Sequence, residues 1–218
     1  MPAQSTMALS SEVEPRSTSA SKSPDVALVR AARAGDRRAC FVIWSRYASL
    51  VGRLVRRFLG PGPDDQDVGQ EAFLRIFKRL GELRDPSTLQ GFVISVTLGV
   101  ARNELRRRRI RSIVALVPGL VPDQAMPQPA TSGGQGEARE AVRALYDMLD
   151  AFSAEDRSLF VTRFAEKMEL VEVAAVHGMS LSTAKRRLAK LVVRVNARVQ
   201  SNPVLRDYVG ALAPGRSF

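Results

Sequence analysis

The chain is short of the residues that build most catalytic centres: in 218 positions it has one cysteine, Cys40, and one histidine, His177. A lone cysteine forms no internal disulfide, and one cysteine with one histidine assembles no clustered zinc site. No metal or other cofactor is expected. There is no glycine loop of the kind that cradles phosphates, and no serine or cysteine nucleophile in a recognisable motif with His177, so the chain is not expected to be an enzyme. Aromatic residues make up 6% of the chain and tryptophan occurs once, at Trp44. The aromatic stacking motifs usual in RNA-binding modules are missing. No run approaches the roughly 18 uncharged apolar residues of a membrane span, and residues 1–23 lack the apolar stretch of a signal peptide. A cytoplasmic protein without direct membrane insertion is expected. The two singular residues have plain readings: Cys40, among Phe41, Ile43 and Trp44, as a small core residue, and His177, before Gly178, as a helix end.

What is abundant is positive charge: 33 Lys+Arg against 22 Asp+Glu, a net +11. The surplus is unevenly spread. Residues 1–23 balance two basic against two acidic groups, and nine of the 23 are Ser or Thr, the composition of a disordered leader. Residues 24–113 carry 18 basic and nine acidic groups. Residues 114–136 carry only Asp123 among prolines and glycines and read as a flexible linker. Residues 137–200 carry 11 basic and nine acidic groups, and 201–218 form a tail. Within the second block all nine acids lie in 137–172, while Val173 to Arg206 has none against seven Lys/Arg. One end of that block is therefore an anion-binding surface.

Apolar residues recur at spacings of three and four, and alternating runs that mark strands are absent. This predicts an all-α protein of two small helical domains joined by the linker. Gly35 fits a helix C′ position, Asp36 caps a helix reaching Phe58, and Gly60-Pro61-Gly62-Pro63 stops it. Further helices are expected from Asp64 to about Leu83 and from about Ser87 to Ile110. The second domain is expected to have four, near 137–151, 154–166, 169–177 and 180–199.

Three constellations bear on function. Residues 169–194 have the spacing of a helix-turn-helix: a short apolar helix ends at Gly178, and Ser180 or Ser182 can cap the next. On that second helix Leu181, Ala184, Leu188, Leu191, Val192 and Val195 form an apolar stripe. Ser182, Thr183, Lys185, Arg186, Arg187 and Lys190 occupy the remainder, a set suited to a DNA major groove. On an earlier helix, Phe73, Ile76, Phe77 and Leu80 can face the core while Asp67, Gln70, Glu71 and Arg75 project elsewhere. Acids and amides on a cationic domain suit a protein partner carrying arginine or lysine. Gly69 within that helix hints at a close approach. Finally, six arginines fall within residues 102–111; they repel one another unless counter-charge arrives, and a nucleic-acid backbone supplies it.

The motif Asp67-Val68-Gly69-Gln70-Glu71-Ala72-Phe73-Leu74-Arg75, then Ala101-Arg102-Asn103 with its trailing arginines, then the segment from Asp156 to Leu188, in this order, resembles the sigma-70 family of bacterial RNA polymerase sigma factors. The likeness is to its extracytoplasmic-function (ECF) group and covers about residues 24–199. It implies a sigma factor that binds core RNA polymerase and directs promoter-specific initiation. It puts Asp67, Gln70, Glu71 and Phe73 in a helix that binds the polymerase clamp helices. It puts Phe92, Arg102, Asn103, Arg106, Arg107, Arg108 and Arg109 along the −10 element, and Ser182, Thr183, Lys185, Arg186, Arg187 and Lys190 on the −35 element. Many members are held by an anti-sigma protein, so such a partner is also expected. Two departures from the family stand out: Val96-Thr97-Leu98-Gly99 where a tryptophan and further aromatics are usual, implying dependence on a near-ideal promoter, and Leu149-Asp150 where Leu-Pro is usual. The alternative is a helix-turn-helix regulator acting without core polymerase, which would have no use for the acidic face at Asp67.

Overall fold

A computed structural model describes residues 22–60, 62, 65–115 and 136–212. Every regular element among them is helical. The expected leader up to residue 21 and the expected linker from 116 to 135 lie outside the described residues.

The first unit comprises α1 (Lys22–Arg33), α2 (Arg37–Leu59), α3 (Asp65–Arg79) and α4 (Leu89–Ala115). Gly35, at φ +87°, turns the chain after α1 as only glycine does cheaply, and the Asp36 carboxylate accepts the Arg38 amide at 2.8 Å to cap α2. An ion pair between Asp25 and Arg46 ties α1 to α2, and Arg33 Nε donates to the Leu80 carbonyl at 3.0 Å. The stripe Ile43, Tyr47, Val51, Leu54, Val55 and Phe58 of α2 is buried at the 3.6-residue period. Against it packs α4, whose Val93, Ile94, Val96, Leu98, Val100 and Ala101 are all buried. A helix apolar on so many sides needs neighbours on each of them; α4 has α2, α3 and, from the second unit, α7. The buried Thr97 hydroxyl donates a 2.7 Å hydrogen bond back to the Val93 carbonyl.

The second unit comprises α5 (Gly136–Asp150), α6 (Ala154–Phe160), a π-turn (Val161–Ala165), α7 (Leu170–Val176), α8 (Leu181–Ser201) and α9 (Pro203–Leu212). Two expectations are corrected here. The helix expected over 154–166 is α-helical only to Phe160; it then widens, the Glu166 amide bonding the Val161 carbonyl at 2.8 Å. The tail, left without structure by the sequence, contains α9, which packs on α5 and α8 and buries Leu205 among Phe152, Leu188 and Leu191.

The units are docked. Val161 and Val176 of the second unit join the hydrophobic cluster of the first, with Ala154, Ala165 and Met168 packed against it.

Candidate nucleic-acid interface

The helix-turn-helix forms as its local chemistry dictates. His177 is the C-cap of α7, and Gly178 sits at φ +61°. The Met179 amide closes on the Ala174 carbonyl at 3.0 Å. Ser180, rather than Ser182, caps α8 by accepting the Thr183 amide at 3.2 Å. Ala184, Leu188 and Leu191 are buried, as expected, but Leu181 is 48% exposed, so the apolar stripe begins one turn later. Ser182, Lys185, Arg186 and Lys190 are exposed and Thr183 and Arg187 half-buried, a cationic strip along one side of α8.

On α3, Asp67 and Gln70 are exposed and Glu71 is half-buried, held by Arg75 Nε at 2.7 Å. Phe73 belongs to the core: 8% exposed, its ring lies 6.4 Å from Trp44 and 6.1 Å from Phe77. Beside Gln70 and Glu71 the sequence reading missed Leu74, 67% exposed and an apolar group for the same face. Gly69 meets nothing within 4 Å of where a Cβ would stand, so no close approach inside this chain explains it. Cys40 packs at the core edge as expected, whereas its neighbours Phe41 and Trp44 face solvent.

The arginines of α4 are only partly dependent on an outside anion. Glu104, 8% exposed, lies on the same helix and draws in Arg111 at 2.7 Å, Arg108 at 3.5 Å and Arg107 at 3.8 Å. Arg109 Nη2 donates to the carbonyls of Asp150 at 2.9 Å and Phe152 at 3.1 Å, across the two units. Arg102 and Asn103 are half-buried, Arg106 is exposed, and Phe92 leans on the first cluster. Arg102, Asn103 and Arg106 line a cleft of about 510 Å³ with Arg75, Arg79 and, from the second unit, Glu155.

More residues bind the units together than any motif announced. Arg157 is 1% exposed; its guanidinium lies over the rings of Phe58 and Tyr146 and pairs with Asp150, the residue standing in place of the usual proline. Burial lowers its pKa against the opposing pull of Asp150. The Tyr146 hydroxyl donates to the Arg56 carbonyl at 3.0 Å. The π-turn presents Glu166 to Arg57 at 2.7 Å and Arg53 at 3.4 Å, and the Ala165 carbonyl to Arg57. His177, 3.2 Å from the Thr162 hydroxyl, is pushed down to a pKa of about 4 by burial, then by Arg102 and Arg187. Among the described residues no His/Cys/Asp/Glu cluster could hold a metal, and no helix is long and apolar enough to cross a membrane.

Two docked helical units, one ending in an arginine-laden helix and the other carrying a helix-turn-helix, bring together parts that suit a DNA-binding protein. The comparisons with known proteins agree with it. Residues 43–110 match the model of Sigma-70 region 2. The RNA polymerase sigma-H factor of Pseudomonas aeruginosa is 22% identical over 188 residues, covering 84% of this chain and 96% of that one. The ferric citrate uptake sigma factor FecI of Escherichia coli is 27% identical over 59% of this chain and 72% of its own. The probable RNA polymerase sigma factor RfaY of Xanthomonas campestris is 26% identical over 70% of this chain, which spans only 38% of RfaY's length. Among solved structures, CnrH in complex with the cytosolic domain of CnrY superposes with a TM-score of 0.60 at 20% identity, over 82% of this chain and 98% of that one, and shares the fold. Over these spans the chain is similar to RNA polymerase sigma factors of the sigma-70 family, among them the ECF RNA polymerase sigma-E factor of Escherichia coli, 22% identical over 84% of this chain and 96% of that one.

Proposed function

We propose that this chain is a sigma factor of the ECF group, which binds core RNA polymerase and directs promoter-specific initiation, with 24–113 as the domain for polymerase and the −10 element and 137–200 as the domain for the −35 element. The observation that carries the reading is the separation of two unlike surfaces. Asp67, Gln70 and Leu74 of α3 are exposed on the basic unit, whereas Ser182, Lys185, Arg186 and Lys190 are exposed on α8 of the other. The first set offers acid, amide and apolar groups to a protein bearing cations; the second offers hydroxyls and cations to a major groove. Arg102, Asn103 and Arg106 supply phosphate contacts on the −10 side. Joined in one chain, two weak DNA contacts raise each other's effective concentration.

Nothing in this function requires bond chemistry by the chain, and we read it as a regulator rather than an enzyme, working in the cytoplasm where polymerase and promoter meet. The likeness to CnrH, solved with the cytosolic domain of CnrY, favours a protein antagonist here too, of the anti-sigma kind. Run-off transcription from a candidate promoter, with purified core polymerase with and without this chain, tests the proposal. A specific transcript is expected only with both. Core pull-down with Asp67→Lys and Glu71→Lys separates it from a regulator acting without polymerase: undiminished capture by that double variant would favour the latter.

A further inference from the structure

Between Leu181 and Lys190 the exposed residues of α8 fall on two neighbouring rows, each stepping by four. Ser182, Arg186 and Lys190 make one; Leu181, Lys185 and Ala189 make the other. The buried residues of the same stretch are Ala184 and Leu188. Leu181 therefore stands outside the apolar stripe, at the head of a row that continues through Lys185, and is about half exposed.

The polar groups around it are already engaged. Ser180 Oγ accepts the Thr183 amide at 3.2 Å, donates to Thr183 Oγ1 at 2.9 Å and lies 3.1 Å from Ser182 Oγ. These hydroxyls hold the cap, and with Gly178 at φ +61° they fix the backbone that carries Leu181 before any DNA arrives. Little further ordering is then needed on binding. A leucine has nothing to offer a phosphate or a hydrogen-bonding base edge. The apolar group that a major groove presents is the C5-methyl of thymine. Packing the isobutyl end of Leu181 on that methyl removes apolar surface of both from water.

We propose that Leu181 is a specificity-determining residue, selecting thymine at one position of the −35 element by packing on its C5-methyl group. The placement of α8 in that groove is taken from the proposed function; the residue and the base it reads go beyond it. Lys185, Arg186 and Lys190 then supply charge and hydrogen bonds further along the same face.

The test uses the full chain. A −35 sequence is selected from a random duplex pool, with core polymerase and without it. Each thymine of that sequence, on either strand, is then replaced in turn by deoxyuridine, which lacks only the methyl group. In anisotropy with fluorescein-labelled duplexes, the wild-type chain is expected to lose about fourfold in affinity at one position, the scale of one buried methyl group. Leu181→Ala is expected to bind thymine and deoxyuridine alike there, with an unchanged melting temperature. Leu181→Met keeps an apolar side chain of similar reach and is expected to restore the preference. Val193→Ala, at an exposed apolar residue further along α8, is the control and should respond to deoxyuridine as the wild type does. A selected sequence without thymine, a wild type indifferent to every replacement, or equal losses in wild type and Leu181→Ala would overturn the thymine contact and leave the sigma function standing. Selection that is the same with and without polymerase, beside a methyl effect that depends on Leu181, would remove the sigma function and leave the contact.

Discussion

The guanidinium of Arg157 lies 5.5 Å from the centre of the Phe58 ring and 5.6 Å from that of Tyr146, one ring from each unit. It is a cation serving as the mortar of an aromatic joint. Asp150 balances its charge, and the two rings supply the desolvated faces on which a planar guanidinium stacks.

Replacing Arg157 with alanine removes that stack and leaves a void between the buried Phe58 ring and the half-buried Tyr146 ring. A loss of about 3 kcal/mol is expected in urea unfolding. Arg157→Lys keeps the charge without the planar fork and is expected to recover less than half of it. Recovery of full stability by lysine would show that charge alone, and not stacking, holds the joint.

His177 makes stability depend on mild acid. Its folded pKa of about 4 lies below the ordinary 6.5, so the unfolded chain binds the extra proton and the native state does not. The stability it contributes is fully present above pH 6.5, declines as pH falls below that, and is lost by about pH 4; the full swing is roughly 3 kcal/mol. Urea midpoints at pH 7.5 and pH 5.2 measure about half of it before the carboxylates titrate. His177→Gln is expected to flatten this slope while keeping a partner for Thr162.

Ser180 tests the start of the recognition helix. Its hydroxyl accepts the Thr183 amide, and Ser180→Ala is expected to cost about 1 kcal/mol, Ser180→Gly only a few tenths. Thermal melts give the stability, and −35 binding by the reconstituted holoenzyme should fall in the same order, since Ser182, Thr183, Lys185 and Arg186 all ride on that first turn and the next.

Lys190 and Arg186 are expected to differ in kind. With Lys190 as a phosphate contact, Lys190→Ala should weaken holoenzyme binding alike on all promoters and reduce the salt slope by about one. With Arg186 reading a base edge, Arg186→Ala should cost about 1–3 kcal/mol on the preferred −35 sequence and much less elsewhere. Titrations on matched and mismatched −35 duplexes at several salt concentrations resolve the two.

How much of this was readable in the sequence follows from the range of the forces. Caps and turns act within a few residues, so Asp36, Gly35, Gly178 and Ser180 placed the helix ends correctly. The exposed cationic side of α8 was legible because the helix is amphipathic, with Leu188 and Leu191 on its buried side. Phe73 was assigned to a binding face although its spacing with Ile76 and Phe77 already put it inside, where the structure has it. α9 was overlooked, yet Val204, Leu205, Tyr208, Val209 and Leu212 repeat at helical spacing; Pro203 at its first position begins a helix rather than breaking one. The docking was out of reach of local pattern. Arg57 and Glu166 are 109 residues apart, and only the crowding of acids into 137–172 hinted that they had somewhere to go. The arginine cluster likewise concealed Glu104, one acid whose position on α4 allows it to serve three neighbours.

The last helix sets an order on the birth of the molecule. Leu205 of α9 is one wall of the second core, so that core cannot close until α9 has left the ribosome, whereas α1 to α4 are complete once Ala115 has emerged. With domains folding as they emerge, the arginine helix spends the interval with its own Glu104 as counter-charge but without the Asp150 and Phe152 carbonyls that later take Arg109. Halfway through synthesis Arg109 is thus open to other acceptors, nucleic acid among them.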